Sequence, residues 1–181
     1  MGKKLKIIFG GLLICILGIM ISGCGASEKF EGKWVAEINN GTSVLPPRAA
    51  GFEIQKNGDK DYFIDCYYVY MNADGELEED KDPSNRFVAK KSEDGNTLII
   101  PNGMGGTVGI PQVMGGTITY NEKTKCLESN FVPYGHEYKK LKNGEYDQEF
   151  KSSFKEVFDP WYQKQKEWHD WLDKRNKERW R

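Results

Sequence analysis

His136 and His169 are the only histidines in the chain. His136 and Glu137 adjoin in a strand-like stretch, where successive side chains point to opposite faces and are poorly placed to share a metal ion. His169 stands near Glu167 and Asp173 on a polar helical face, a solvated setting. The acids Asp74, Glu76, Glu78, Glu79, Asp80 and Asp82 invite a calcium reading. Aligning Gly75 with the glycine of a calcium-binding loop puts Tyr70 at the first ligand and Lys81 at the position of the bidentate glutamate, so the acids read instead as a solvated hairpin tip. Ser92, Ser129 and Ser152 lack the glycine-rich elbow that activates a serine nucleophile. Nothing selects a pair of carboxylates for glycoside hydrolysis. The expectation is therefore a protein that is not an enzyme, with no catalytic centre, no metal and no cofactor.

Binding chemistry is better represented. Tyr62, Tyr67, Tyr68 and Tyr70 fall in one strand-like run and offer faces for sugars or a hydrophobic ligand; alternatively they fill and clad a barrel. The segment from Lys164 to Arg181 carries seven basic and four acidic residues with several tryptophans. It suits anionic lipid headgroups, or it continues a packing helix into solvent.

The N-terminal stretch from Gly2 to Cys24 sets the placement of the rest. Lys3, Lys4 and Lys6 precede an apolar run from Ile7 to Ile21, followed by Ser22, Gly23 and Cys24. A basic head, an apolar body and a small-residue end make a secretory signal segment. Fifteen residues, three of them glycine, fall short of the ~20 that span a bilayer. The ending Ile21-Ser22-Gly23-Cys24 resembles the lipobox of bacterial lipoproteins. That resemblance implies cleavage before Cys24, diacylglycerol on its thiol, and a cell-membrane location facing outside the cytoplasm. Stable anchoring takes more than one acyl chain.

Without residues 1–23 the chain keeps 158 residues, enough for one domain. Loss of three signal lysines leaves 23 basic against 27 acidic residues. So modest a charge argues against nucleic acid as a partner. Cys66 and Cys126 remain after Cys15 leaves with the signal and Cys24 takes lipid. In an exported protein they either pair or serve as small buried apolar residues.

Alternation and turn residues predict strands over 33–38, 51–56, 61–71, 86–91, 97–100, 117–121, 125–131 and 136–141. Residues 40–50 read as a long loop around Pro46-Pro47, and Asn57-Gly58-Asp59 as a hairpin turn. Met104-Gly105-Gly106-Thr107 recurs as Met114-Gly115-Gly116-Thr117, a local duplication of a turn. From Tyr146 the period changes to 3.6: Tyr146, Phe150, Phe154, Val157 and Phe158 share one helical face. Asp159-Pro160 predicts a break, with Asp159 capping a second helix whose stripe is Trp161, Trp168 and Leu172, flanked by Trp171.

Short antiparallel strands followed by helix suit a small closed barrel. The Gly32-Lys33-Trp34 triplet on the first strand, followed by the loop 40–50, resembles the lipocalin-type barrel. In that family such a Trp plugs one end and a long first loop borders the other. The expected fold is thus mainly β: a small antiparallel lipocalin-like barrel of about eight strands with a C-terminal helical segment in two parts. The expected organisation is signal peptide 1–23, lipidated tether 24–29, barrel 30–143, and C-terminal helices with a basic end over 144–181. Two functions follow from the resemblance and the surface. One is a binding module for a small apolar or cell-envelope ligand, with Trp34, Tyr62, Tyr68 and Tyr70 at the site. The other is a structural or interaction lipoprotein, its barrel filled, that docks on an envelope protein or the bilayer.

Overall fold

The structure, a computed structural model, describes residues 29–101, 115–130 and 137–179, without the side chains of 84 and 85. The body runs from Gly32 onward, and the described residues 29–31 belong to a separate unit. Eight strands follow one another in chain order: β1 Gly32–Ala36, β2 Arg48–Lys56, β3 Asp61–Met71, β4 Leu77–Lys91, β5 Thr97–Ile100, β6 Gly116–Asn121, β7 Cys126–Ser129 and β8 Glu137–Lys140. Each is antiparallel to its neighbour, and β8 pairs back onto β1 through Ala36 and Tyr138, closing the barrel. Closure gives each strand a neighbour on both sides, which is how strands of four residues persist, although β5 bonds only Lys90 and Lys91 of the fifteen-residue β4. A single turn of 3-10 helix at Lys142–Gly144 leads to one long helix, α1, Gln148–Arg179. Among the described residues no helix is long and apolar enough to cross a membrane.

The antiparallel order gives the barrel two unlike ends. Short connections at 57–60, 92–96 and 122–125 gather at one, the turn end. The described connections at 37–47 and 72–76 lie at the other, the loop end. Strand alternation separates an inner from an outer face. Inside the turn half, Trp34, Phe52, Tyr62, Ile64, Leu127 and Tyr138 are all at 1% exposure or less. Trp34 meets Tyr120 edge-on at 6.3 Å, and the Lys140 ammonium lies 5.3 Å from its ring centre. Phe52 stacks on Tyr138 at 4.3 Å. Burying each such side chain contributes about 1.5–3 kcal/mol.

The outer face of β1–β3 holds a second core. Val35, Ala49, Tyr67, Val69 and Met71 pack against Phe154 and Phe158 of α1, with Phe150 and Trp161 at the margin. Gly51 lies opposite Tyr67, and a Cβ there would come within 2.4 Å of the phenol ring. The tyrosine thus covers the glycine, and the flat backbone lets it lie close to the sheet.

Three elements differ from expectation. β2 begins at Arg48, inside the expected loop, and β4 begins at Leu77 and runs through the acidic stretch. Both extensions answer to β3, eight of whose eleven residues pair on both sides: Tyr70 pairs with Arg48 across one flank and with Glu78 across the other. The expected break at Asp159-Pro160 is absent, and α1 is one helix with Pro160 inside it. Proline there removes the bond to the Glu156 carbonyl and costs about 3 kcal/mol. Anchors on both sides offset it: Phe158 is buried in the outer core, and the Trp161 indole N–H donates to the Thr42 carbonyl at 2.7 Å. The repeated Met-Gly-Gly-Thr turn falls mainly outside the described residues.

Candidate functional site

Near the loop end the inner face changes character. On β2 and β3 the inward stripe that begins with Phe52, Ile54 and Ile64 continues as Ala50, Arg48, Cys66, Tyr68 and Tyr70. On β4 it continues as Asp80 opposite Tyr68 and Glu78 opposite Tyr70. The inward positions that β1, β6 and β7 bring to this half are small: Ala36, Gly116 and Ser129. On β2, β3 and β4 the wall of packing residues gives way to aromatic and charged side chains, while on β5 the buried Ile100 continues it beside Gly116.

These side chains are organised. The Arg48 guanidinium lies 4.5 Å from the Tyr68 ring centre, a cation–π stack. The Tyr70 hydroxyl donates to Glu78 at 2.5 Å, and the Asn72 amide donates to the other Glu78 oxygen at 2.6 Å. The Tyr70 bond, then the Asn72 bond, holds the Glu78 carboxyl below its ordinary range, and the same contact raises the Tyr70 phenol. The Asn72 side-chain oxygen accepts from the backbone N–H groups of Asp74 and Glu76 at 3.0 Å each, fixing the β3–β4 turn. Below this set lie the Cys66 thiol and Tyr138. Burial, then the neighbouring Asp65 carboxylate, pushes Cys66 up to about 12. Burial, then Cys66 and Tyr68, raises the Tyr138 phenol. The arrangement presents a ring face, a guanidinium and carboxylates above a neutral, buried floor. It can stack on a ring and hydrogen-bond hydroxyls; it holds no activated nucleophile.

The expected site residues separate. Tyr68 and Tyr70 come together at the loop end, whereas Trp34 and Tyr62 are packed into the turn half at 1% and 0% exposure. Tyr67 points outward beneath α1. Cys24 and His136 lie outside the described residues. His169 borders the groove between the 40–44 loop and α1. Cys66 and Cys126 are both free: Cys66 faces inward opposite Phe52, and Cys126 sits outward at the β6–β7 turn opposite Asn121. Ser92 bonds Asp94 within its own turn at 2.5 Å. Among the described residues no group of three or more His, Cys, Asp or Glu is arranged to hold a metal ion.

Arg48 and Glu78 escape a reading of the sequence because each follows a turn and carries a charge. The available signal is the length of β3, which requires partners reaching as far as Tyr70. The acidic stretch also hides Glu79, on the outer face one residue from the site. It accepts from Lys33 at 2.8 Å and from the Tyr146 hydroxyl at 2.7 Å, and pairs with Lys81 at 2.9 Å; Lys81 also binds Glu53 at 2.7 Å. This network ties β1 and β4 to the start of the helical segment and braces the ribbon that carries Tyr70 and Glu78.

A second concavity lies outside the barrel. The 40–44 loop and α1 border a groove of about 1190 Å³ lined by Val44, Val157, Trp161, Lys164 and Trp168. Trp161 and Gln165 bond the Thr42 and Ser43 carbonyls at 2.7 and 2.9 Å and set its depth. No family model matches the chain, and neither a curated protein nor a solved structure does so.

Proposed function

We propose that this protein is a membrane-anchored extracytoplasmic lipoprotein whose barrel is a binding module, not an enzyme, for a small ligand of the cell envelope. The observation that carries this reading is the contrast between the two halves of the lumen. A barrel that only had to be stable would fill both with large apolar side chains. Here the turn half is so filled, while β2, β3 and β4 bring Arg48, Tyr68, Tyr70 and Glu78 to the loop half, where β5 adds only the buried Ile100. Few, convergent polar groups beside an aromatic face are how ligand sites combine affinity with orientation. The set favours a ligand with both a stacking face and hydroxyls over a purely apolar one. Trp34 and Tyr62 then act as the packed base of the site and not as its contacts.

The anchor supports the same reading, since Cys24 at the end of a signal segment would hold the module where envelope components are found. Titration of the full chain with envelope glycans and lipids, followed by calorimetry, tests the site. Tyr68→Ala removes the stacking face, worth about 1–3 kcal/mol for an aromatic platform, and should weaken binding roughly tenfold. Silence across the panel, or equal affinity of the variant, would refute it. The anchor is tested separately by the intact mass of membrane-extracted protein: diacylglycerol on Cys24 is expected, and an uncleaved or lipid-free chain contradicts it.

A further inference from the structure

α1 carries large apolar side chains that the barrel does not cover. Trp168 is 54% and Trp171 45% exposed, and they stack on each other at 5.0 Å. Across the groove the loop tip presents Val44 at 83% and Leu45 at 48% exposure. At 100° per residue, Lys164, Trp168, Trp171 and Arg175 fall within about 60° of the helix circumference. Arg175 lies over the Trp171 ring at 5.1 Å, so cation and aromatic face form one surface. Asp170 and Asp173 lie around the far side of the helix, while Glu178 and Glu167 stand about 20° and 40° outside one edge of the strip and Arg179 about 20° outside the other. The apolar side of this segment thus keeps a positive excess, with Lys164, Arg175 and Arg179 against Glu167 and Glu178.

We infer that Lys164, Trp168, Trp171 and Arg175, with the Val44-Leu45 tip, form a docking strip for an anionic phospholipid bilayer. Indole rings settle at the boundary between headgroups and acyl chains, and lysine and arginine keep their charge among the phosphates while their stems stay apolar. An apolar surface on which cations outnumber acids matches that boundary on both counts. A helix of 32 residues, about 48 Å long, can lie along the bilayer and hold the barrel on its side. The inference stands independently of the ligand site, which uses other residues on the inner face.

The full chain reconstituted into phosphatidylcholine vesicles, with or without phosphatidylglycerol, provides the test; the readout is tryptophan quenching by brominated acyl chains. Quenching should rise when phosphatidylglycerol is present and fall again with salt. In Trp168→Phe/Trp171→Phe that increment should disappear. Lys164→Gln/Arg175→Gln keeps both reporters, and each cation near an anionic surface is worth about fivefold. The ratio of docked to free helix should therefore drop about 25-fold. Quenching indifferent to phosphatidylglycerol, or unchanged in the glutamine variant, overturns the inference. So does protection of both tryptophans that grows with protein density, because a second copy would then cover the strip.

Discussion

Replacing Glu79 with glutamine leaves the shape of the outer network and removes the charge that three donors share. Lys33, Lys81 and the Tyr146 hydroxyl all converge on this carboxylate. A hydrogen bond to a charged group contributes about 1.5–3 kcal/mol, but these three do not add in full. Side-chain exposures of 24% at Lys33 and 38% at Lys81 let solvent screen the pairs. A net loss of about 2–3 kcal/mol follows. At about 2–4 °C per kcal/mol for a domain of this size, Tm should fall by roughly 4–12 °C. The acid dependence carries the sharper signature. Burial alone would raise the Glu79 carboxyl, but Lys33, Lys81 and Tyr146 outweigh it and hold the group below its ordinary range. Its contribution is thus complete above the unfolded value of about 4.3 and is lost as pH falls through the lower, folded value. Lys81 is raised, its bonds to Glu53 and Glu79 outweighing its own burial, so its share fades only in strong alkali. Thermal unfolding followed by circular dichroism, on wild type and Glu79→Gln at neutral and strongly acidic pH, reads both effects. The gap should be wide at neutrality and close in acid. A neutral gap under about 2 °C, or one that persists unchanged in acid, would show that the Glu79 charge does not hold this network together.

Gly51→Ala forces a methyl group against the Tyr67 ring and should cost about 1–3 kcal/mol in denaturant unfolding; a neutral result would mean that the ring does not cover the glycine. Pro160→Ala restores the bond to the Glu156 carbonyl within a continuous helix, so stability should rise, by up to about 3 kcal/mol, with some gain in helical dichroism. A loss of stability would show that the proline ring itself positions Trp161. Cys66 and Cys126 are both free, and burial raises both thiols. Both should resist alkylation in the native state at mildly alkaline pH and react fully after denaturation without a reductant. Failure to react then would reveal a disulfide.

Much of the barrel is legible in the residues because its walls obey period two. β3 shows it best: Tyr62 and Ile64 turn inward while Tyr67, Val69 and Met71 cover the sheet beneath α1. The face of α1 is legible for the same reason, since Phe150, Phe154 and Phe158 recur at helical spacing. What stays hidden is governed by contacts distant in sequence. Glu76 to Asp82 has the composition of a solvated tip, yet from Leu77 pairing with β3 makes a strand of it, with Glu78 and Asp80 on one face and Glu79 on the other. Pro160 carries a local stop signal that is overridden by Phe158 on one side and Trp161 on the other. The tyrosines form one cluster in sequence but three sites in space, and only Tyr68 and Tyr70 share one. Their partners Arg48 and Glu78 emerge only once the register is known.

Native mass spectrometry of the full chain, incubated with an envelope extract of the cells that make it, addresses the binding module most directly. A discrete small-molecule adduct is expected on wild type and on Trp168→Phe/Trp171→Phe, lost from Arg48→Ala and from Tyr68→Ala. No adduct on any of them, or one that survives both loop-end substitutions, would contradict it.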